Sequence, residues 1–330
     1  MQRVAAVITQ SALRFEGTMK TAKKTVVGLG EVLWDILPEA THLGGAPANF
    51  AYITNLIGDR GVVASRVGAD ARGQEARCRM EALGLPSTFL QTDTDRDHPT
   101  GTAQARVDGR GQASFVIAQP AAWDFMEWTP EWQDLAREAD AVCFGSLAQR
   151  SPQSRETIRN FLRATSRDAL RVFDVNLRGD FYSRELLADS MSLADIVKLN
   201  DEELPRIMEL GGLFHSNVHS GSDGGEKASA EKLLGLYDLE LVCITRGNRG
   251  SLLVSKSGSS EHAGFRVQVA DTIGAGDAFT AGLTHEYLHG ASLDGMNEVA
   301  NRVGAWVASQ AGATPTPKHG ALQNSLADIS

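Results

Sequence analysis

The residues best placed to do chemistry stand together in Asp271-Thr272-Ile273-Gly274-Ala275-Gly276-Asp277-Ala278-Phe279. Gly274 and Gly276 open an apolar-periodic stretch that predicts a helix to about His289, and residues 264–270 read as the strand that feeds it. The first amides of a helix lack intrahelical partners and sit at the positive end of its dipole. An entry loop without Cβ atoms therefore makes a receptor for an oxyanion such as a phosphate. A carboxylate at Asp277 would repel that anion if binding were the whole purpose. It is useful if Asp277 takes a proton from an attacking hydroxyl while the amides absorb charge growing on a transferred group. An Asp in a first helical turn is favourable anyway, and Gly-x-Gly before a helix is common, so the string by itself favours the plain structural reading.

Such residues need a frame. From Glu131 onward helical patterns alternate with short apolar strands at 141–144, 171–175, 195–199 and 241–245, which predicts a parallel sheet covered on both faces, with ligands at the carboxyl ends of its strands. Polar strings close three of those strands: Asp174-Val175-Asn176-Leu177-Arg178, Lys198-Leu199-Asn200-Asp201-Glu202-Glu203 and Thr245-Arg246-Gly247-Asn248-Arg249-Gly250. Each is weak alone, since Arg178 can be a surface charge, Asn200 a helix cap and residues 245–250 a hairpin turn. Near the start, residues 25–30 read as a buried strand that continues to Ile36. Gly28-x-Gly30 fails as a dinucleotide fingerprint, because Leu33 stands at the third glycine position, and no P-loop motif occurs.

Gly44-Gly45-Ala46-Pro47-Ala48-Asn49 predicts a helix with Pro47 in its first turn. Its glycines let a ligand touch the backbone, and Asn49 offers the donor and acceptor that a polyol hydroxyl requires, although a plain Gly-rich turn weighs equally. A strand at 62–67 and a helix at 69–83 follow. Residues 100–107 and 112–118 then alternate around Asp108-Gly109-Arg110-Gly111, a hairpin signal. With residues 34–43 they read as a small sheet over one end of the main domain, either a water-excluding lid or a structural or dimer-forming hairpin.

At 330 residues the chain can bury a large core, and its formal net charge of -9 argues against nucleic acid as a partner. Cys78, Cys143 and Cys243 are widely spaced in apolar surroundings and read as buried free thiols of a reducing cytoplasm. No apolar run reaches membrane-spanning length, and Val4 to Leu13 is too short and polar for a secretory signal. Residues 211–230 are rich in Gly, Ser and His without a period and read as an exposed insertion, where His215 and His219 lack the partners of a metal site. His285-Glu286-Tyr287-Leu288-His289 satisfies a zinc-protease pattern, yet it lies roughly 20 Å along the helix from the glycine loop. With no obvious third ligand, two histidines in a last turn read as partners of the negative dipole end. A final helix over about 293–310 carries Ala300, Gly304 and Ala305 for close packing, and there is no internal repeat.

Order and spacing change the weight of these strings. The glycine loop with Asp277 resembles the C-terminal signature of the PfkB (ribokinase-like) carbohydrate kinases, and Gly44 to Asn49 resembles their N-terminal signature, especially in fructokinases. The resemblance spans about residues 25 to 315 and implies an α/β, ribokinase-like fold: a central, mostly parallel sheet flanked by helices on both faces, with a small β-sheet lid. The expected large domain is 25–33, 44–97 and 120–315, the lid 34–43 and 98–119, with an N-terminal extension at 1–24 and a tail at 316–330. The implied activity is ATP-dependent phosphorylation of a primary hydroxyl of a monosaccharide. Fructose leads, because Ala46-Pro47 departs from the Gly-Gly-Lys-Gly pattern of ribokinases; 2-keto-3-deoxygluconate and a riboside stay open.

In that resemblance Asp277 is the base, the Gly274, Ala275, Gly276 and Asp277 amides form the anion hole, and Arg178 assists. Asp35, Gly44, Gly45 and Asn49 hold the sugar. Asn200, Thr245, Gly247, Gly250 and Asn301 face the nucleotide, and Glu203 acts on Mg2+ through water, with a monovalent cation left open. Two arginines among Arg106, Arg110 and Arg178 facing the acceptor would favour an acid. The implied setting is a cytoplasmic homodimer joined through the lid, with no nucleic acid or membrane partner. A sugar-binding or regulatory protein without turnover is the competing class, and the intact Asp277, Gly274 and Gly276 speak against it.

Overall fold

Nine strands form the larger of two sheets, in the order β13-β12-β11-β10-β9-β8-β1-β4-β5. They are β1 (Thr25–Leu29), β4 (Arg60–Gly68), β5 (Leu90–Asp93), β8 (Ala141–Gly145), β9 (Leu170–Asp174), β10 (Ile196–Asn200), β11 (Leu241–Thr245), β12 (Ser251–Ser255) and β13 (Gly258–His262). The smaller sheet runs β3-β2-β6-β7, from β2 (Leu33–Ile36), β3 (Thr41–Gly44), β6 (Gly101–Val107) and β7 (Ala113–Ile117). This computed structural model describes residues 23–38, 40–107, 113–213, 223–317, 322–327 and 329. The expected hairpin turn at 108–111 with Arg110, and His215 and His219, lie outside the described residues, as does the side chain of Arg106.

Seven strands from β5 to β11 in the sheet order are parallel and β12 and β13 run antiparallel. The parallel strands read as unbroken apolar runs because both faces are covered. One core, with Phe144, Phe161, Phe173 and Trp132, fills the side of α3 (Pro130–Glu138), α4 (Pro152–Ala164), α5 (Arg184–Ser192), α6 (Glu203–Leu210) and α7 (Asp223–Tyr237). The other, with Phe50, Ile53, Phe279 and Trp306, lies under α1 (Ala46–Ile57), α2 (Ala71–Ala82), α8 (Ala275–Leu288), α9 (Leu293–Ala308) and the short α10 (Leu322–Ala327). α8 and α9 pack closely through small residues: a Cβ on Gly282 would stand 3.2 Å from Ala300 Cα, and one on Gly304 would stand 3.1 Å from the Ala275 carbonyl oxygen.

Several expectations need correction. The run from Thr25 to Ile36 is two strands in two sheets, because residues 30–32 leave the large sheet and carry the chain into the small one. Residues 264–269 belong to neither a strand nor a helix; the sheet ends at β13, and the segment leads from it to the loop before α8. The latter part of the 211–230 segment is helix, since α7 begins at Asp223. Cys78 is exposed on α2, a surface helix with few buried positions, whereas Cys143 and Cys243 are buried in strands.

Candidate active site

The carboxyl ends of the parallel strands converge on one edge. Register pairs Gly145 with Asp174 and Asn200 with Thr245, so the polar strings after β9, β10 and β11 stand side by side. The start of α8 comes to the same edge. Gly274 caps it with φ 77°, a left-handed conformation that costs an L-residue about 1–2 kcal/mol. A Cβ there would also stand 2.5 Å from Ala313 Cβ, so Gly274 is doubly required.

Of the four predicted amides, that of Ala275 is turned to the Thr272 carbonyl at 3.3 Å, a bond that closes the turn. Those of Gly274, Gly276 and Asp277 have no protein acceptor among the described residues. Three of the four are thus free for an anion, and Ala275 contributes the turn itself. Asp277 Oδ2 accepts from Asn49 Nδ2 at 2.8 Å, which ties the starts of α1 and α8 together. Burial, followed by the neighbouring Asp174 charge, raises the Asp277 pKa to about 6 against the Asn49 hydrogen bond and the Lys198 and Arg178 charges. Asn49 Oδ1 is buried and has no protein partner. An orphaned acceptor of this kind costs free energy unless a ligand hydroxyl donates to it.

Asp35, on β2, lies against Gly44 on the paired β3: a Cβ at Gly44 would stand 2.1 Å from Asp35 Oδ2, so only glycine admits the carboxylate there. Gly45 precedes α1 and packs on the Glu31 carbonyl. Burial raises the Asp35 pKa to about 6, opposed by the Arg178 and His42 charges. Arg178 is exposed in the loop after β9 and donates to the Leu177 carbonyl at 3.2 Å. Its charge acts on Asp35, Glu31 and Asp277 together.

Asn200 and Glu203 form a reciprocal cap: Asn200 Oδ1 accepts from the Glu202 and Glu203 amides, while Glu203 Oε2 accepts from the Asn200 amide at 2.9 Å. Glu203 Oε1 accepts from the Leu177 amide at 2.7 Å, so this carboxylate joins the ends of β9 and β10. Burial raises its pKa, opposed first by Lys198. Each oxygen keeps a second lone pair, which suits a water of a hydrated Mg2+ held mainly by phosphates and not direct coordination in a protein cage. Thr245 ends β11, Gly247 opens a 3-10 turn with open space above it, and Gly250 closes the loop against the His262 carbonyl.

Asn301 Nδ2 donates to Ser251 Oγ at 2.7 Å and to the Asn297 carbonyl at 2.7 Å, which holds α9 against β12; its Oδ1 has no donor among the described residues.

Sequence reasoning missed two residues. Lys198, in the middle of an apolar strand, is buried with Nζ 3.1 Å from both oxygens of Asp174, its neighbour in the β9–β10 register. Asp174 Oδ2 also accepts from Thr280 Oγ1 at 3.0 Å, and a Cβ at Gly276 would stand 3.2 Å from Lys198 Nζ. A lone lysine among Ile196, Val197 and Leu199 was the available signal, because a buried ammonium demands a partner. Glu31 is the second. Burial pushes its pKa up to about 7; its own backbone contacts and Arg178 act against this, and Asp277 adds to it. Between Glu31, Asp174 and Asp277 lies a cavity of about 20 Å³, room for a single water. A larger groove, lined by Asp140, Asp168, Asp195 and Glu240, opens at the opposite ends of the strands, away from these groups.

This combination of a mostly parallel sheet, a smaller second sheet and a glycine-capped helix start with unpartnered amides is that of a ribokinase-like α/β protein. Residues 39–319 match the model of the pfkB family of carbohydrate kinases, and the chain belongs to that family. It is 28% identical over 312 residues to the uncharacterized sugar kinase PH1459 of Pyrococcus horikoshii, covering 89% of this chain and 93% of that one. The structure of PH1459 in complex with ATP superposes with a TM-score of 0.72 at 27% identity, covering 88% and 93% of the two chains. A fructokinase of Escherichia coli is 30% identical over 310 residues, covering 86% of this chain and 93% of its own. The structure of aminoimidazole riboside kinase from Salmonella enterica, complexed with aminoimidazole riboside and an ATP analog, gives a TM-score of 0.72 at 25% identity, with 92% and 100% covered. The protein is a sugar kinase, a phosphotransferase with an alcohol as acceptor.

Proposed function

We propose that this sugar kinase transfers the γ-phosphoryl group of ATP to a primary hydroxyl of a neutral monosaccharide, with fructose the leading acceptor. The observation that carries the reading is Asp277: a carboxylate with its proton affinity poised near neutrality, oriented by Asn49 and standing beside three unpartnered amides. Asp35 and the orphaned Asn49 Oδ1 accept from sugar hydroxyls, and Gly44 and Gly45 let the ring approach the main chain. Asp277 takes the proton of the attacking hydroxyl, and the oxygen so released attacks the phosphorus in line. The Gly274, Gly276 and Asp277 amides, with Arg178, bear the charge of the transferring group. Asn200, Thr245, Gly247 and Gly250 form the nucleotide side. Glu203 would order a water of a Mg2+ ion bound with the nucleotide, and that ion would supply positive charge to the phosphate oxygens. The small sheet closes over the sugar and excludes solvent, and a homodimer joined through this lid belongs to the same reading.

Among the described side chains, the charge of one guanidinium, Arg178, acts on all three carboxylates of Asp35, Glu31 and Asp277. That balance favours a neutral polyol over a sugar acid. ADP release from magnesium-ATP across fructose, ribose, 2-keto-3-deoxygluconate and aminoimidazole riboside tests the acceptor; fructose is expected to give the highest kcat/KM. Asp277→Asn tests the base, and should lower kcat for the best sugar by about 10²-fold or more. A rate within about threefold of the unaltered protein would refute the assignment.

A further inference from the structure

The far end of α8 carries a second constellation, which plays no part in phosphoryl transfer. His285 and His289 are one turn apart on the same helical face, with ring centroids 4.3 Å apart. Facing them is Asp59, between the left-handed cap Gly58 of α1 and the first residue of β4. His285 Nδ1 lies 2.7 Å from Asp59 Oδ2, and His289 Nε2 lies 3.3 Å from Asp59 Oδ1. The Asp59 side chain is 2% exposed and the two imidazoles 20% and 26%. The third ligand that the sequence did not reveal is therefore present, brought across 226 residues by the packing of α1 against α8.

We propose that Asp59, His285 and His289 form a binding site for a divalent ion of the zinc class, with solvent at the remaining position. Two imidazoles and a carboxylate suit zinc and not Mg2+ or Ca2+, which prefer all-oxygen sets. The ligand atoms all lie within 4.8 Å of one another. Metal–ligand bonds of about 2.0–2.1 Å in a tetrahedral site place ligand atoms about 3.3 Å apart, so the two contacts to Asp59 need only small side-chain adjustments. The ion would take the place of the direct contact between His285 Nδ1 and Asp59 Oδ2. The Lys24 main-chain amide donates to Asp59 Oδ1 at 3.2 Å and fixes the carboxylate from behind, as outer partners of metal ligands do. The negative end of the α8 dipole and Glu286, whose charge acts on both imidazoles, add attraction for a cation. The nearest alternative, a proton-linked clasp without metal, uses the same contacts but takes up no ion.

The site is structural in this reading. It fastens the end of α8 to the α1–β4 turn and to the entry of β1, and so steadies the helix whose other end carries the anion loop. The test uses the full chain, stripped of metal with a chelator and titrated with Zn2+ by calorimetry and with Co2+ by its visible absorption. One equivalent should bind, with the intense absorption of a low-coordinate Co2+ site, and excess Mg2+ should not displace it. His289→Gln and His285→Gln, each at a partly exposed position, should each weaken Zn2+ at least tenfold and abolish the Zn2+-dependent rise in Tm. Apo Tm and magnesium-ATP turnover of His289→Gln should match those of the unaltered protein, which distinguishes this site from metal bound at the kinase centre. Binding of less than one equivalent, or Zn2+ affinity unchanged in both variants, would overturn the proposal.

Discussion

Replacing Lys198 by Met tests what sets the proton affinity of the base. The Lys198 ammonium is buried, contacts both oxygens of Asp174, and holds down an Asp277 pKa that burial and the Asp174 charge raise to about 6. With the ammonium gone, only the Asn49 hydrogen bond and the Arg178 charge still counter burial and the Asp174 charge at Asp277. An opposite charge at close range is worth about 1–3 pKa units, so the acidic limb of log kcat/KM should move upward by at least about one unit. In the unaltered protein that limb should fall near pH 6, because kcat/KM reports groups of the free enzyme. At this pH the ionised fraction would drop from about one half to about one tenth, with a parallel loss of rate. Breaking a buried ion pair costs about 3–5 kcal/mol, a large share of the roughly 5–15 kcal/mol that holds a domain together. Circular dichroism must therefore accompany the assay, which is initial ADP release across a pH series. The double variant Lys198→Met with Asp174→Asn removes both charges and should return the limb toward that of the unaltered protein. A limb unmoved in Lys198→Met would refute the coupling, and one at an ordinary carboxylate pH in the unaltered protein would refute the buried-base argument itself.

Two other perturbations bear on the same site. Glu31 is raised from 4.5 to about 7 in the folded chain, so its contribution to stability is complete below the unfolded value and is lost as pH rises through about 7. Glu31→Gln should remove that loss, making the variant more stable relative to the unaltered protein at pH 8 than at pH 5 by up to about 3 kcal/mol. Urea midpoints at the two pH values measure this, and an equal difference at both would show that Glu31 titrates normally. Gly274→Ala forces an L-residue into φ 77° and sets a methyl group 2.5 Å from Ala313 Cβ, so the loop must shift. Displaced amides should lower kcat about tenfold or more while sugar affinity, read by equilibrium binding, changes little. A kcat within twofold of the unaltered protein would mean that the anion is held elsewhere.

What the sequence made legible, and what it hid, divides along one physical line. Glycines before helices and polar strings after apolar runs are local, because they answer to the geometry of a few adjacent residues; the fold class and the loop around Gly274 to Asp277 could be read from them. Lys198 and Asp174 become a pair only through the register of two strands whose partner residues lie 24 positions apart. Asn301 is drawn toward the nucleotide by resemblance alone; that its amide nitrogen also satisfies Ser251 and Asn297 inside the α9–β12 contact shows only in the packing. Asp59 is the extreme case: nothing within a turn of sequence marks it as a partner of His285. A buried or half-buried ionisable residue in an apolar run nevertheless announces that some partner must exist, since an unpaired charge there would be too costly to keep. Lys198 in its strand and Glu31 after β1 both carry that announcement. Their partners lie toward the same edge as Asp277, because the ends of parallel strands are where a covered sheet can leave polar groups uncovered. The pressure to satisfy buried charge and the pressure to build a reactive site thus converge on the same few positions, and a lone charged residue in an apolar strand of such a fold points toward the chemistry.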